Sequence, residues 1–257
     1  SQLVFRNILS RIASGEVTNN DYMELSKRFN ENNMHLVENY RDSLRIISRN
    51  ADIDSFNYAE LRKNNNPVAI INAIHNNRTA SEATADEAMG LQKTLRLSVG
   101  AKIILRQNLW TSKGLCNGTL GEIKDIVYKP GEQDNQSNLP LCIMVHFPRY
   151  TGPVCYGNTI PIVPSSVSFK KSNVNCTRKQ FPIQLAYAIS IHRSQGITLE
   201  KAVIDIGPNE FALGMTYVAL SRVKTIDGLI LDPSFPWRRL EAIKSRKILQ
   251  RKETRIE

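Results

Sequence analysis

The stretch Ala186-Tyr187-Ala188-Ile189-Ser190-Ile191-His192-Arg193-Ser194-Gln195-Gly196-Ile197-Thr198-Leu199 is followed at once by Ala202-Val203-Ile204-Asp205-Ile206. An apolar run meets a cluster of His, Arg, Ser and Gln, a glycine closes it, and a strand of buried type follows. That layout predicts hydrogen-bonding side chains and a helix terminus where a sheet ends, a common place for phosphate and ligand contacts in α/β folds. A capped polar helix on a surface satisfies the same pattern.

Working outward, Leu44-Arg45-Ile46-Ile47 reads as a strand, with Asp52 and Asp54 as caps for a helix through Phe56, Tyr58 and Leu61. Asn64-Asn65-Asn66-Pro67 is a turn before the apolar strand Val68-Ala69-Ile70-Ile71, and strand, helix, strand at this spacing suggests α/β architecture. Before them, Leu3, Phe5, Ile8, Leu9 and Ile12 recur at helical spacing up to Gly15. Thr18 and Asn19 then precede Asp21-Tyr22-Met23-Glu24-Leu25 as an N-cap with an acidic first turn, and the first forty residues read as helical.

Residues 75–90 are polar and read as loop. Asp86-Glu87 has the composition of a Mg²⁺-binding pair, but Ala83-Thr84-Ala85 before it is no hydrophobic strand. Residues 95–170 look β-rich, with strands expected at Lys102–Leu105, Gly121–Val127, Leu141–Phe147, Thr159–Val163 and Val167–Phe169. Asn117-Gly118, Pro130-Gly131 and Gly152-Pro153 supply turns between them, and Asp134–Asn138 reads as a hairpin tip. Short strands with such turns predict a small antiparallel barrel or sandwich set into one α/β domain.

A second chemical stretch is Gly214-Met215-Thr216-Tyr217-Val218-Ala219-Leu220-Ser221-Arg222-Val223-Lys224. Arg222 emerges from a mostly apolar helix, an expensive place for a cation unless something anionic meets it. Its planar donor fork suits a phosphoryl group. Spacing alone also allows simple surface exposure.

Ser190–Thr198 and Tyr217–Arg222 resemble motifs V and VI of superfamily-1 helicases of the Pif type, close to "siHKSQG-T" and "YVALSR". Leu97–Leu109 and Cys116–Gly121 are similar to that family's "L-x-x-G-A-x-V-M-L-x-x-N" and "N-G-T-x-G" passages. The resemblance implies a RecA-like second domain of P-loop NTPase type, with a parallel sheet interrupted by a small antiparallel, Src-homology-like β-barrel. It divides the chain into 1–40 closing a first RecA-like domain, 41–110 and 181–257 as the second domain with a C-terminal helix, and 111–180 as the insert.

The same resemblance implies ATP with Mg²⁺, and single-stranded DNA crossing both RecA-like domains with 5′→3′ movement. Arg222 is then the arginine finger, while Gln195, Gly196, Thr198 and Ser221 couple to nucleotide. His192, Arg193, Ser194 and Asn108 face DNA. Arg193 departs from the family's usual Lys, keeping the charge but replacing a point charge by a fork. DNA repair, recombination and telomere maintenance are the processes the family suggests.

No G-x-x-x-x-G-K-[ST] occurs in these 257 residues, so a loop cradling phosphates is expected on an N-terminal RecA-like partner domain, and this chain alone is expected not to hydrolyse ATP. The start at Ser1, without initiator Met or signal pattern, fits an excised segment. Against the enzyme stands a non-enzymatic nucleic-acid-binding module or a decayed mobile-element remnant. Either fits 34 Lys+Arg against 24 Asp+Glu, a net charge of +10 and a pI near 9.5, since basic surfaces displace counterions from phosphates.

Cys116, Cys142, Cys155 and Cys176 form no CxxC pair and have no His at zinc-finger spacing. Reduced, mostly buried thiols in an intracellular protein, nuclear or mitochondrial in a eukaryote, are expected. No apolar run approaches the roughly 18 residues of a membrane span. The C-terminal stretch from Trp237 alternates bases with Leu240, Ile243, Ile248 and Leu249, as an amphipathic packing helix or a DNA-binding tail would.

Overall fold

The computed structural model describes residues 2–131, 139–209 and 212–244. The chain opens with helices α1 (Gln2–Ser14) and α2 (Asn19–Ser26), then strand β1 (Leu44–Ile47) and helix α3 (Asn50–Lys63). There follow β2 (Ala69–Asn72), β3 (Ile74–His75), the short α4 (Arg78–Glu82), β4 (Thr94–Leu97) and β5 (Lys102–Leu105). Next come β6 (Leu120–Val127), β7 (Cys142–His146), β8 (Ile160–Ile162), β9 (Ser165–Lys171), β10 (Val174–Gln180) and β11 (Ile183–Leu185). The last elements are β12 (Ala188–Ser190), β13 (Ala202–Asp205), α5 (Met215–Leu220) and β14 (Leu229–Leu231).

Two compact units result: Ser1–Phe56 with Tyr187–Glu257, and Asn57–Ala186. The first is built on an all-parallel sheet in the order β12-β1-β13-β14. Its strands are short and almost wholly apolar because both faces are covered. By register, Ile47, Ala188, Val203 and Ile230 share one face. Tyr40 with Leu36 packs on Val203 and Ile230, and Ile53 with Phe56 packs on Ile47 and Ala188. On the opposite face Ile46, Ile189 and Ile204 are equally sealed from solvent.

Helix α1 buries Phe5, Ile8 and Ile12 and packs against α5, whereas Leu3 is exposed. Gly15 ends the helix at φ +74°, a conformation a Cβ would disfavour. Thr18 and Asp21 close a reciprocal capping box on α2. Asp21 is fully buried and accepts Arg11 Nε at 2.9 Å. Burial alone would raise the Asp21 carboxyl. Hydrogen bonds from Arg11 and Thr18 outweigh it, so its pKa lies below the ordinary value.

The second unit is antiparallel throughout. It holds a five-stranded sheet β11-β5-β6-β7-β8, a three-stranded sheet β3-β10-β9 and the pair β2-β4. Ile103, Ile123, Ile143 and Val145 fill its centre, and a bulge between Ile123 and Asp125 bends β6. Arg178 on β10 is completely buried. Its guanidinium donates to the carbonyls of Ala80 (2.8 Å), Ala83 (2.7 Å), Leu91 (2.9 Å) and Thr84 (3.3 Å), and burial lowers its pKa.

The structure departs from the sequence expectations at several places. The run expected at 68–71 forms β2 from Ala69 on and pairs antiparallel with β4; apolar alternation does not specify a distant partner. The division at 40, 110 and 180 remains an expectation of the resemblance; the two compact units are Ser1–Phe56 with Tyr187–Glu257, and Asn57–Ala186. Residues 30–32 and 34–40 form 3₁₀ turns, and 78–82 in the expected loop is a short helix. Glu87 caps Thr84 and pairs with Lys171 at 2.9 Å. The Lys171 bond and then the Thr84 N–H pull its pKa to about 2.

All four cysteines are free, yet only Cys176 is buried and Cys155 is exposed. The expected hairpin tip at 134–138, and Ile248 and Leu249, lie outside the described residues. Among those described, no helix is long and apolar enough to cross a membrane.

Candidate functional site

Each strand of a parallel sheet delivers its next residues to the sheet's C-terminal edge, where ligands of α/β folds collect. Strand β12 ends there at Ser190 and turns immediately. No α-helix follows it: His192–Ser194 is a single 3₁₀ turn, which corrects the helix terminus expected from sequence. Ser190 Oγ accepts the Arg193 N–H at 3.3 Å, and Ser194 Oγ donates to the Ile191 carbonyl at 2.7 Å. Backbone bonds from Gln195 to His192 and from Ile197 to Ser194 tighten the turn. Gly196 has φ +81° with open space around its missing Cβ, so backbone conformation and not crowding selects glycine.

This folding sorts the candidate residues. Ser194 is buried and its hydroxyl is spent inside the turn, while His192, Gln195, Gly196 and Thr198 are exposed and Arg193 is half-buried.

The second stretch arrives on α5. Gly214, at φ +85°, opens the helix, and Met215, Thr216, Ala219 and Leu220 anchor it in the core. Arg222 lies just past the helix end and folds back. Its Nε donates to the Val218 carbonyl at 2.8 Å and Nη2 donates to Ser221 Oγ at 2.8 Å. Nη1 reaches the turn after β12, donating to the carbonyls of Ser194 (3.2 Å) and Ile197 (3.4 Å). Leu199 N–H in turn donates to the Arg222 carbonyl at 2.8 Å, and Leu199 and Val223 form a parallel bridge.

The two stretches singled out by sequence are thus one structure, joined through Arg222. Burial lowers the guanidinium's pKa. The group stays a cation nonetheless, held by carbonyl oxygens with no carboxylate among its hydrogen-bond acceptors.

Asn108, the remaining candidate, belongs to the antiparallel unit. Its Oδ1 accepts the Asn117 N–H at 2.8 Å and holds the turn before β6.

Arg239 escaped the sequence reading. It is buried within a helical segment at 238–244 and donates to the carbonyls of Gly207 and Ile206, both at 3.1 Å, and to Thr216 Oγ1 at 3.0 Å. It therefore fixes α5 from behind, and Leu240 and Ile243 are buried beside it, as the packing-helix reading requires. Asp205, at the end of β13, also went unnoticed. Burial raises its pKa, against the Gly207 N–H that donates to it at 2.7 Å. Among the described residues no cluster of three or more His, Cys, Asp or Glu could hold a metal ion.

Residues 88–126 match the family described as DNA helicase Pif1, 2B domain. Zebrafish ATP-dependent DNA helicase PIF1 is 30% identical over 229 residues, covering 88% of this chain and 32% of that protein. The chain belongs to the Pif-type helicases. It corresponds to their C-terminal region, with the α/β fold that the resemblance implied.

The crystal structure of Pif1 helicase from Candida albicans superimposes with a TM-score of 0.71 at 23% identity, over 97% of this chain and 57% of that one. Pif1 helicase from Bacteroides, in complex with ADP-AlF3 and ssDNA, gives 0.64 at 23% identity, over 99% and 54%. The chain spans about a third of the zebrafish relative and about half of each solved Pif1 chain. The 2B match starts at residue 88, inside the antiparallel unit and upstream of the boundary at 111.

Proposed function

We propose that this chain is the C-terminal part of an ATP-dependent 5′→3′ DNA helicase, supplying the arginine finger and part of the single-stranded DNA track. The observation that carries the reading is the bridge from Arg222 to the Ser194 and Ile197 carbonyls. One side chain ties the proposed nucleotide-sensing helix end to the turn that displays His192, Gln195 and Thr198. Bonds of 3.2 and 3.4 Å to neutral carbonyls are weak for a guanidinium, and a phosphoryl oxygen competes for them well.

The residues present fit one side of a nucleotide site and not a whole one. Arg222, Ser221, Gln195 and the backbone at Gly196 are suited to meet phosphate oxygens. No P-loop occurs in the sequence, so ATP and Mg²⁺ would be held mainly by an N-terminal RecA-like partner domain. ATP supplies the free energy for movement. Arg222 would place a fixed cation against developing phosphoryl charge, an effect on the order of 10³–10⁵ in rate in other NTPases. His192 and Arg193 would contact DNA.

The test is Arg222→Ala in the parent enzyme. DNA-stimulated ATP hydrolysis falls by roughly 10³ or more, with single-strand affinity nearly kept. Arg222→Lys, which retains charge without the fork, remains strongly impaired. Turnover close to wild type in the Ala variant, with an unchanged melting temperature, overturns the assignment.

A further inference from the structure

The antiparallel unit carries a surface feature that the ATP-linked site does not use. Between β5 and β6 the chain forms a small hairpin, with Leu109 and Trp110 N–H groups donating to the Leu115 carbonyl at 2.9 and 3.0 Å, and Leu115 N–H returning to Trp110 at 3.0 Å. Trp110 is the last paired residue before the loop, bridged to Leu115, and is 45% exposed. Tyr150 from the loop after β7 lies beside it, ring centroids 6.4 Å apart and planes tilted by 59°.

The arrangement is built rather than incidental. Thr151 N–H donates to the Lys113 carbonyl at 3.0 Å, locking the second loop onto the hairpin. Gly114 sits at φ +90°, where a Cβ would come within 2.6 Å of the Arg149 carbonyl. A side chain at Gly152 would likewise strike the Tyr150 ring. Two glycines are thus required to bring the aromatic pair together.

The surroundings point to the occupant. Residues 106–121 and 147–164, the segments that carry the two rings, contain no Asp or Glu, and they contribute Arg106, Lys113 and Arg149. An exposed indole beside a half-buried phenol, on segments that supply Lys and Arg but no carboxylate, suits unpaired bases joined by phosphates, since every base offers a π-face to stack. A protein partner selected by apolar contact alone would not call for the one-sided charge.

We infer that Trp110 and Tyr150 form a stacking platform for single-stranded DNA, with Lys113 and Arg149 beside the phosphates. This rests on the DNA-tracking reading above and adds a second contact, on the other unit.

The sequence contains two tryptophans, Trp110 and Trp237, so a Trp237→Phe background of the whole chain leaves Trp110 as sole indole reporter. Titration with oligothymidylate at low salt should quench its emission, and a blunt duplex should not. By anisotropy of a labelled oligothymidylate, Trp110→Ala should bind roughly tenfold more weakly, and Trp110→Phe within about threefold of wild type. Because the ring is exposed, the Ala variant should keep its melting temperature. Unaltered emission on saturation, or equal affinity of Trp110→Ala and wild type, overturns the platform while leaving the DNA-tracking reading intact. Failure of every form to bind oligothymidylate overturns both.

Discussion

Two arginines, one in each unit, donate to backbone carbonyls, and they behave as opposites. Arg178 is sealed, with four carbonyl bonds from 2.7 to 3.3 Å organising residues 80–91. Arg222 is half-buried, two of its bonds are long, and those two reach a turn whose neighbours face solvent. Carbonyl capture therefore does not mark a functional arginine. In the proposed reading Arg222 keeps bonds that can be exchanged for an anion, whereas Arg178 has nowhere to go. In the same way Arg239 resembles Arg178, clamped behind α5 by Gly207, Ile206 and Thr216.

The contrast breaks most visibly on substitution. Arg222→Ala should remove roughly 10³-fold or more of parent ATPase activity while shifting stability by under about 1–2 kcal/mol, since only neutral carbonyls and the Ser221 hydroxyl lose a donor. Arg178→Met should do the reverse. It takes the donor from three buried carbonyls, those of Ala80, Ala83 and Leu91, and should cost about 3–5 kcal/mol in denaturant unfolding, with turnover per folded molecule retained. If Arg178→Met lowers turnover without lowering stability, the structural reading of that residue is wrong.

Smaller effects sharpen the picture within the parallel unit. Asp21→Asn should destabilise by about 1–3 kcal/mol at neutral pH, because the partner of Arg11 and half the capping box are lost together. Folding lowers the Asp21 pKa, so wild type holds this stabilisation above the ordinary carboxylate value of 3.8 and loses it as pH falls through the lowered native value. The difference between wild type and Asp21→Asn should therefore shrink on acidification. Gly196→Ala should cost about 1–2 kcal/mol through its positive φ alone, because its surroundings are open. No stability change there would mean that the turn relaxes freely.

Much of this was legible in local sequence. Leu44–Ile47 and Ala202–Ile206 announce apolar strands, Thr18 and Asn19 ahead of Asp21 announce a cap, and the insert's strands alternate with clear turns. Both chemical stretches were visible, and so was the arginine. Pairing and burial of charge were not. The runs Val68–Ile71 and Leu44–Ile47 look alike, yet one joins an antiparallel pair and the other a parallel sheet, because partners lie far along the chain. Arg178 sits in the polar run Asn175–Gln180 with no motif around it; its burial is decided by carbonyls 87 to 98 residues away. Arg239 similarly follows Arg238 in what reads as the basic face of a surface helix.

The central claim is that Arg222 links nucleotide state to the turn bearing His192 and Gln195. The direct measurement is single-strand affinity of the parent enzyme with and without a non-hydrolysable ATP analogue, for wild type and Arg222→Ala. Wild type should show a nucleotide-dependent shift of roughly 5–150-fold, the usual range of such coupling. In Arg222→Ala the shift should collapse towards unity, with nucleotide-free affinity kept. An equal shift in both proteins would contradict the account.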